Sequence, residues 1–240
     1  EDRLYKKADI IIAANEYRAK RMQVEYHLAE KPLVYENLRR LAYSPQADMK
    51  KLSVRFGELL SGEEYKIIST SGCSVQRTND KLVETLPRLQ YPYKLFLVGD
   101  SAPQDREAID KIVAENGISG VYILGRLGQD ELKYLIDHSH IGVVNYGQYD
   151  TNNIYCASGK LYEFLYEGKP VVTTTNPPLA DICAQLGVGE ASDDYAQALN
   201  RVMGYCSRVQ QAVKNMSVEE NNDLLVTALR QRLALKEETK

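Results

Sequence analysis

The residues best placed to do chemistry lie in one run, Tyr155-Cys-Ala-Ser-Gly-Lys160-Leu-Tyr-Glu163-Phe-Leu-Tyr-Glu-Gly168-Lys-Pro170. It reads as a helix with marked ends. Ser158 and Gly159 make a small, polar start, Gly168 supplies a left-handed stop, and Pro170 prevents continuation into the following Val-Val. The start of such a helix presents unpaired N–H groups and the positive end of its dipole, which suits a phosphate. Lys160 lies in the first turn, where a cation works against the dipole. A bound diphosphate would supply the compensating negative charge. Glu163, one turn later on the same face, is spaced to reach neutral hydroxyls such as those of a ribose. The same spacing is also that of a solvated Lys/Glu pair, so the residues alone leave both readings open.

Other chemistries find less support. Cys73, Cys156, Cys183 and Cys206 stand far apart, with no CxxC and no histidine pair to complete a zinc site, and read as reduced, mostly buried thiols. No Asp-x-Asp occurs, and Asp100, Asp130 and Asp150 stand alone. His138 and His140 span a predicted helix end and face different ways, which favours structural roles. The many tyrosines are most simply amphipathic fillers, with some available to stack on a base or sugar. No GxGxxG follows a strand, which argues against a plain dinucleotide-binding domain.

The elements that must position these residues follow from hydrophobic pattern. Continuous apolar runs, as expected of parallel strands buried on both faces, occur at Ile10–Ala13, Leu33–Tyr35, Tyr65–Ser69, Lys94–Val98, Val121–Leu124, Ile141–Val144 and Pro170–Thr174. Helical spacing alternates with them at Asn79–Leu89, Asp105–Asn116, Gln129–His138, Gly159–Glu167 and Ala180–Leu186. Strand then helix, repeated, predicts an α/β fold with a doubly wound parallel sheet. Ser71-Gly72, Gly99-Asp100 and Gly125 mark the carboxyl ends of strands, where ligands bind in such sheets. The first sixty residues, with basic clusters at Arg18–Arg21, Arg39-Arg40 and Lys50-Lys51, read as a connector. The segment Val218–Leu235 reads as an amphipathic terminal helix, with Leu225, Ala228, Leu229 and Leu233 at helical spacing.

Composition sets the outer limits. The chain's 240 residues, 44% hydrophobic and 26% charged, suffice for a sizeable core. A net charge of -3 lacks the basic excess of a nucleic-acid binder. No charged segment followed by an apolar stretch opens the chain and no run is long enough to span a membrane, so the cytoplasm is the simplest compartment. The stretch Arg18–Arg21 offers either a peripheral contact with anionic lipid or a solvated face. The chain begins at Glu1-Asp2-Arg3, without a methionine, which reads as either an excised fragment or a processed product.

Four blocks in order carry a resemblance. The string Ala157 to Val172 resembles the donor-site segment of GT-B glycosyltransferases, close to glycosyltransferase family 4 of bacterial polysaccharide assembly. Members there carry Pro-Asn-Lys-hydrophobic-x-Glu-Tyr followed by Gly-x-Pro-Val. Lys94–Asp100 resembles the family's strand ending in Val-Gly-Asp, Val121–Arg126 with Asp130-Glu-Leu132 its Phe-x-Gly-x-Val then Glu-Leu stretch, and Ser139–Val144 its Ala-Asp-hydrophobic strand. The resemblance covers roughly Ala8 to Met203 and implies a Rossmann-like donor half of a two-domain enzyme.

Carried onto this sequence, the resemblance implies that Glu163 holds the ribose and that Lys160, with Ser158, Gly159 and the helix start, holds the diphosphate. Gly72 would line the phosphate turn, Arg77 would neutralise the leaving phosphate, and Gly125 and Arg126 would line the base pocket. Transfer would retain configuration at the sugar, with a nucleoside diphosphate sugar as donor and no cofactor. Residues 1–60 would be the end of an acceptor domain and its connector, 61–205 the donor-binding domain, and 206–240 terminal helices packing on a missing N-terminal acceptor domain. Without that domain the chain is expected to be inactive alone. The sequence departs from the pattern in three places. The usual Gly-Arg at the strand end before Arg77 is missing. Tyr155 occupies the position of the first of two glutamates, the one that contacts the transferred sugar, with Asn152 and Asn153 nearby, and Ser158-Gly159 replaces Pro-Asn. A non-catalytic nucleotide-sugar-binding or scaffolding module therefore stays in view. So does a nucleotide-sugar epimerase of the same fold, although the clustered acid and base groups it needs are not found.

Overall fold

The computed structural model describes Tyr5, residues 7–205 and residues 218–238. Cys206 and the residues after it as far as Ser217 lie outside the described residues, as does the start of the chain. The fold divides into two compact units, one of residues 1–39, 157–159 and 214–240, the other of residues 40–156 and 160–213.

The larger unit is built on a six-stranded, fully parallel sheet. Its strands are β3 (Tyr65–Ser69), β4 (Tyr93–Val98), β5 (Val121–Gly125), β6 (Ile141–Val144), β7 (Val171–Thr173) and β8 (Gly189–Ala191), in the order β5-β4-β3-β6-β7-β8. Ile67 pairs with Leu95 on one side and with Ile141 on the other, so β3 and β6 are neighbours although two strands separate them in sequence. The chain winds outward through β4 and β5 and then returns to the other side of β3. That reversal makes the crevice between β3 and β6 the topological switch point, where open α/β sheets take their ligands. The strands are apolar because helices cover both faces. Ile67, Ile68, Leu95, Phe96, Leu97 and Ile141 are fully buried, and each such side chain contributes about 1.5–3 kcal/mol relative to exposure.

The helices of this unit are α2 (Met49–Leu60), α3 (Asn79–Thr85), α4 (Pro103–Glu115), α5 (Gln129–Asp137), α6 (Thr151–Ile154), α7 (Gly159–Tyr166), α8 (Pro177–Leu186) and α9 (Tyr195–Tyr205). In α7 the apolar face of Leu161, Tyr162, Phe164 and Leu165 is buried. Gly142 lets this helix sit close to the sheet, since a Cβ there would lie 2.4 Å from the Phe164 ring.

Two segments differ from the pattern-based expectation. The stretch around Lys50-Lys51, for which no helix was expected, is helical. It forms α2, capped by Asp48 through the Lys51 N–H at 2.9 Å, with Leu52 and Phe56 buried and the Phe56 ring stacked against Tyr134 at 6.1 Å. Residues 40–48 are likewise tied down, Ser44 bonding Asp130 through its N–H at 2.6 Å and its hydroxyl at 2.7 Å, and Tyr43 donating to Asp137 at 2.6 Å. The strand β8 was not expected, because Gly189-Glu-Ala191 carries no apolar run. It is an edge strand made by pairing with β7.

The smaller unit contains a two-stranded parallel sheet of β1 (Ile12–Ala13) and β2 (Leu33–Val34), the helix α1 (Glu16–Glu25) and the terminal helix α10 (Val218–Glu238). Asn15 caps α1 by accepting the Arg18 N–H at 2.9 Å. Along α1, Lys20 pairs with Glu16 at 3.5 Å and Arg21 with Glu25 at 2.9 Å, the i, i+4 pattern of a solvated face. Among the described residues no helix is long and apolar enough to cross a membrane.

Candidate functional site at the carboxyl ends of the strands

Three strand ends are joined through their backbones. The Gly72 N–H donates to Val98 O at 2.9 Å and the Gly99 N–H to Gly125 O at 2.7 Å, so the turns after β3, β4 and β5 form one continuous rim. Gly72 is required there. Its φ is 59°, and a Cβ would lie 2.5 Å from Asp100 O and 2.8 Å from Ser101 Oγ. The Ser101 hydroxyl in turn accepts the Cys73 N–H at 2.9 Å.

Lys160 reaches this rim from α7. Its ammonium donates to Thr70 O at 2.7 Å and to Ser71 Oγ at 2.9 Å, which fastens the first turn of the helix to the end of β3. The cation is therefore aimed at the switch point instead of lying along the helix surface. Glu163 lies one turn on and is 3% exposed. Ser158 and Gly159 group with the smaller unit. There a Cβ on Gly159 would face the Asn37 amide at 3.2 Å, and Asn37 donates to Ala157 O at 3.3 Å. Ser158 is 4% exposed, and its hydroxyl has no hydrogen-bond partner among the described residues.

Arg77 closes a short helical turn, Val75–Arg77, between β3 and α3. Its Nη1 donates to Asn153 Oδ1 at 3.1 Å, and its guanidinium carbon lies 4.0 Å from the centre of the Tyr146 ring. The structure thus gathers Gly72 and Lys160 at the end of β3, with Arg77 in the loop that leaves it. Gly125 ends β5, an edge strand, and Arg126 follows it, largely exposed with Asp100 3.6 Å away.

Beneath the rim runs a buried polar network. Asn79 accepts from Ser69 Oγ at 3.1 Å and from Asn145 Nδ2 at 2.8 Å, and donates to Gly72 O at 2.8 Å. Asn176 accepts from Thr174 Oγ1 at 2.5 Å and donates to Asn153 O at 2.8 Å. These buried amides tie the ends of β3, β6 and β7 together, although the Asn145 Oδ1 itself has no hydrogen-bond partner among the described residues. Asn79, Asn145, Asn176 and Tyr146 were not singled out from the sequence. The signal available was an asparagine placed directly or soon after an apolar run, as in Val144-Asn145 and Thr174-Thr-Asn176.

A cleft of about 220 Å³ opens beside Arg77, lined among others by Thr78, Lys81, Tyr146, Gln148, Asp193 and Tyr195. Burial pushes the Tyr195 phenol up to about 12, so it is a neutral donor and acceptor, bonded to Thr78 Oγ1 at 2.6 Å. The histidines are satisfied elsewhere. His138 bonds Tyr134 O at 2.8 Å and His140 accepts the Lys66 N–H at 2.9 Å. Among the described residues no group of three or more His, Cys, Asp or Glu is arranged to hold a metal.

No family model matches the chain, and no curated protein does. Solved structures do. A glycosyltransferase from Rickettsia africae matches with a TM-score of 0.73 at 16% identity, over 97% of this chain and 66% of its own. The Anabaena protein Alr3699/HepE, solved in complex with UDP-glucose, matches with a TM-score of 0.70 at 17% identity, over 93% of this chain and 64% of its own. WaaG, a glycosyltransferase involved in lipopolysaccharide biosynthesis, matches with a TM-score of 0.64 at 14% identity, over 86% of this chain and 59% of its own. The fold is therefore that of the Rossmann-like half of GT-B glycosyltransferases. At these identities the likeness establishes the fold, and the chain spans less than two thirds of the length of these matching proteins.

Proposed function

We propose that the chain is the donor-binding part of a glycosyltransferase that draws a hexosyl group from a nucleoside diphosphate sugar, in assembly of a polysaccharide or glycoconjugate. The observation that carries this reading is Lys160. A cation in the first turn of α7, held at 2.7 Å from Thr70 O beside the switch point, is costly for the helix and useful for a diphosphate. The matching proteins support it, since Alr3699/HepE was solved with UDP and with UDP-glucose. In this reading Lys160 and Arg77 stabilise the diphosphate as it leaves, with retention at the sugar and without a dedicated metal. Glu163 holds the ribose, and the turn at Gly125 and Arg126 receives the base. The acceptor side belongs to residues outside this chain, in keeping with the share of the matching proteins that it spans. The protein works in the cytoplasm. The pairing of Lys20 and Arg21 along α1 favours a solvated face there over lipid contact.

Tyr155, in place of the sugar-contacting glutamate, favours one second reading, a module that binds nucleotide sugar without transferring it. Turnover by the complete protein separates the two. The shared part is tested by calorimetric titration of the chain with UDP, GDP and ADP sugars. Binding of one of them is expected, with Glu163→Ala weakening it about 10–100-fold and His138→Ala leaving it near wild type. No binding by a well-folded sample removes the donor-site reading, and equal effects of the two substitutions move the site elsewhere.

A further inference from the structure

Arg77 is the second cation of the proposed site. Among the described residues its guanidinium makes one hydrogen bond, to Asn153 Oδ1 at 3.1 Å, and stacks on Tyr146 at 4.0 Å. Both partners come from the segment after β6, whereas Arg77 comes from the loop after β3. The contact therefore bridges the two strands that flank the switch point.

The Asn153 amide has a fixed orientation. Asp150 accepts from its Nδ2 at 2.6 Å and from its N–H at 2.8 Å. A carboxylate only accepts and a guanidinium only donates, so the NH2 group must face Asp150 and the oxygen must face Arg77. Asn176 secures the backbone of Asn153 from below at 2.8 Å. On the Arg77 side, Thr78 holds a left-handed φ of 58°, uncommon for a β-branched residue. Its hydroxyl donates to Arg77 O at 2.7 Å and meets the buried Tyr195 hydroxyl at 2.6 Å.

The charge arrangement is the informative part. A carboxylate set directly against Arg77 would orient it but neutralise it. Here no carboxylate lies within 4 Å of it among the described residues. Asp150, whose charge it feels, sits behind the Asn153 amide, and that neutral amide and an aromatic face make the contact. Both hold a guanidinium while leaving its charge and most of its N–H fork uncommitted. A cation ordered in advance and left unneutralised is arranged for an anionic ligand, because the entropy of placing it is spent in folding and not in binding.

We propose that Asn153, oriented by Asp150, and Tyr146 are positioning residues that hold Arg77, with no carboxylate set directly against it, as a cation for the diphosphate of the donor. The inference rests on the donor-site reading above. It concerns diphosphate affinity and makes no demand on the transfer step.

The test is a calorimetric comparison of UDP, GDP and ADP with the corresponding monophosphates on the chain and its variants. Arg77→Met, Asn153→Ala and Tyr146→Leu are each expected to weaken the diphosphate by about tenfold and the monophosphate much less. Asn153→Ala combined with Arg77→Met should add nothing beyond Arg77→Met alone, since both remove one interaction. Tyr146→Phe keeps the ring and should bind as wild type. Asn153→Asp, nearly isosteric, sets a carboxylate directly on Arg77 and should weaken the diphosphate at least as much as Asn153→Ala, a result that a purely structural amide would not give. If Asn153→Ala does not fold, Tyr146→Leu against Tyr146→Phe decides. Diphosphate binding that falls with Arg77→Met and is untouched by the Asn153 and Tyr146 variants overturns the clamp and leaves the donor site standing. Absence of any nucleotide binding by the wild-type chain overturns the donor site, and the clamp with it.

Discussion

At the scale of single residues, the useful distinction is between side chains legible by type and those legible only by position. Lys160 belongs to the first kind, because a cation in a first helical turn is out of place unless something offsets it. Asn153 and Tyr146 belong to the second. Nothing in their types shows that β6 will lie beside β3, and only that adjacency brings them to Arg77. His140 illustrates the opposite outcome, a titratable residue whose work is structural. Its Nδ1 accepts the Lys66 N–H at 2.9 Å and its ring meets Tyr65 edge-on at 5.6 Å. Desolvation, then the Lys66 and Lys169 ammonium groups, lower its pKa below the ordinary 6.5. The unfolded chain takes up a proton near 6.5 while the native state resists it, so stability falls as pH drops through that value and levels off below the lowered native pKa. Urea unfolding midpoints measured from about pH 7.5 down to about pH 5 should fall. His140→Asn, whose amide oxygen can still accept the Lys66 N–H, should flatten the profile. A variant that keeps the full slope would assign it to another group.

At the scale of elements, the strand and helix alternation was legible because each central strand is an unbroken apolar run and each helix begins or ends at glycine, proline or a polar cap. The edges were not. β8 has only pairing to make it a strand, and α2 is a helix because Leu52 and Phe56 find a surface in Tyr134 and its neighbours, not because its sequence demands one. The placement of α7 also depends on a contact that pattern does not reveal. Gly142 in β6 leaves room for Phe164, which is fully buried, and so sets the height at which α7 carries Lys160 to the end of β3. Gly142→Ala is expected to destabilise the chain by about 1–3 kcal/mol through overpacking and to weaken nucleotide binding as well, since α7 must shift. Adding Phe164→Leu, which vacates the space the new methyl needs, should make the double variant more stable than the sum of the single effects. Additive urea-denaturation energies would mean that the two side chains do not share that space.

At the scale of the whole molecule, the doubly wound architecture and its topological switch point are set by strand order, and the fold is what relates this chain to longer glycosyltransferases at 14–17% identity. Identity that low preserves apolar strands and turn glycines, because those are dictated by the sheet. Base, sugar and acceptor are read by side chains that the sheet leaves free to change, so fold likeness does not transmit them. Thermal unfolding supplies the missing discrimination without requiring turnover or an acceptor. A ligand that binds only the native state stabilises it by about 2.7 kcal/mol at a hundredfold excess over its Kd, which for a domain of this size raises Tm by roughly 5–10 °C. UDP, GDP and ADP compared at equal concentration should therefore separate, one base giving a shift of that order and the others little. A shift of equal size with all three would mean that Lys160 and Arg77 grip the phosphates while no pocket near Gly125 reads the base. No shift with any of them at millimolar concentration would leave the glycosyltransferase fold intact and remove nucleotide binding from it.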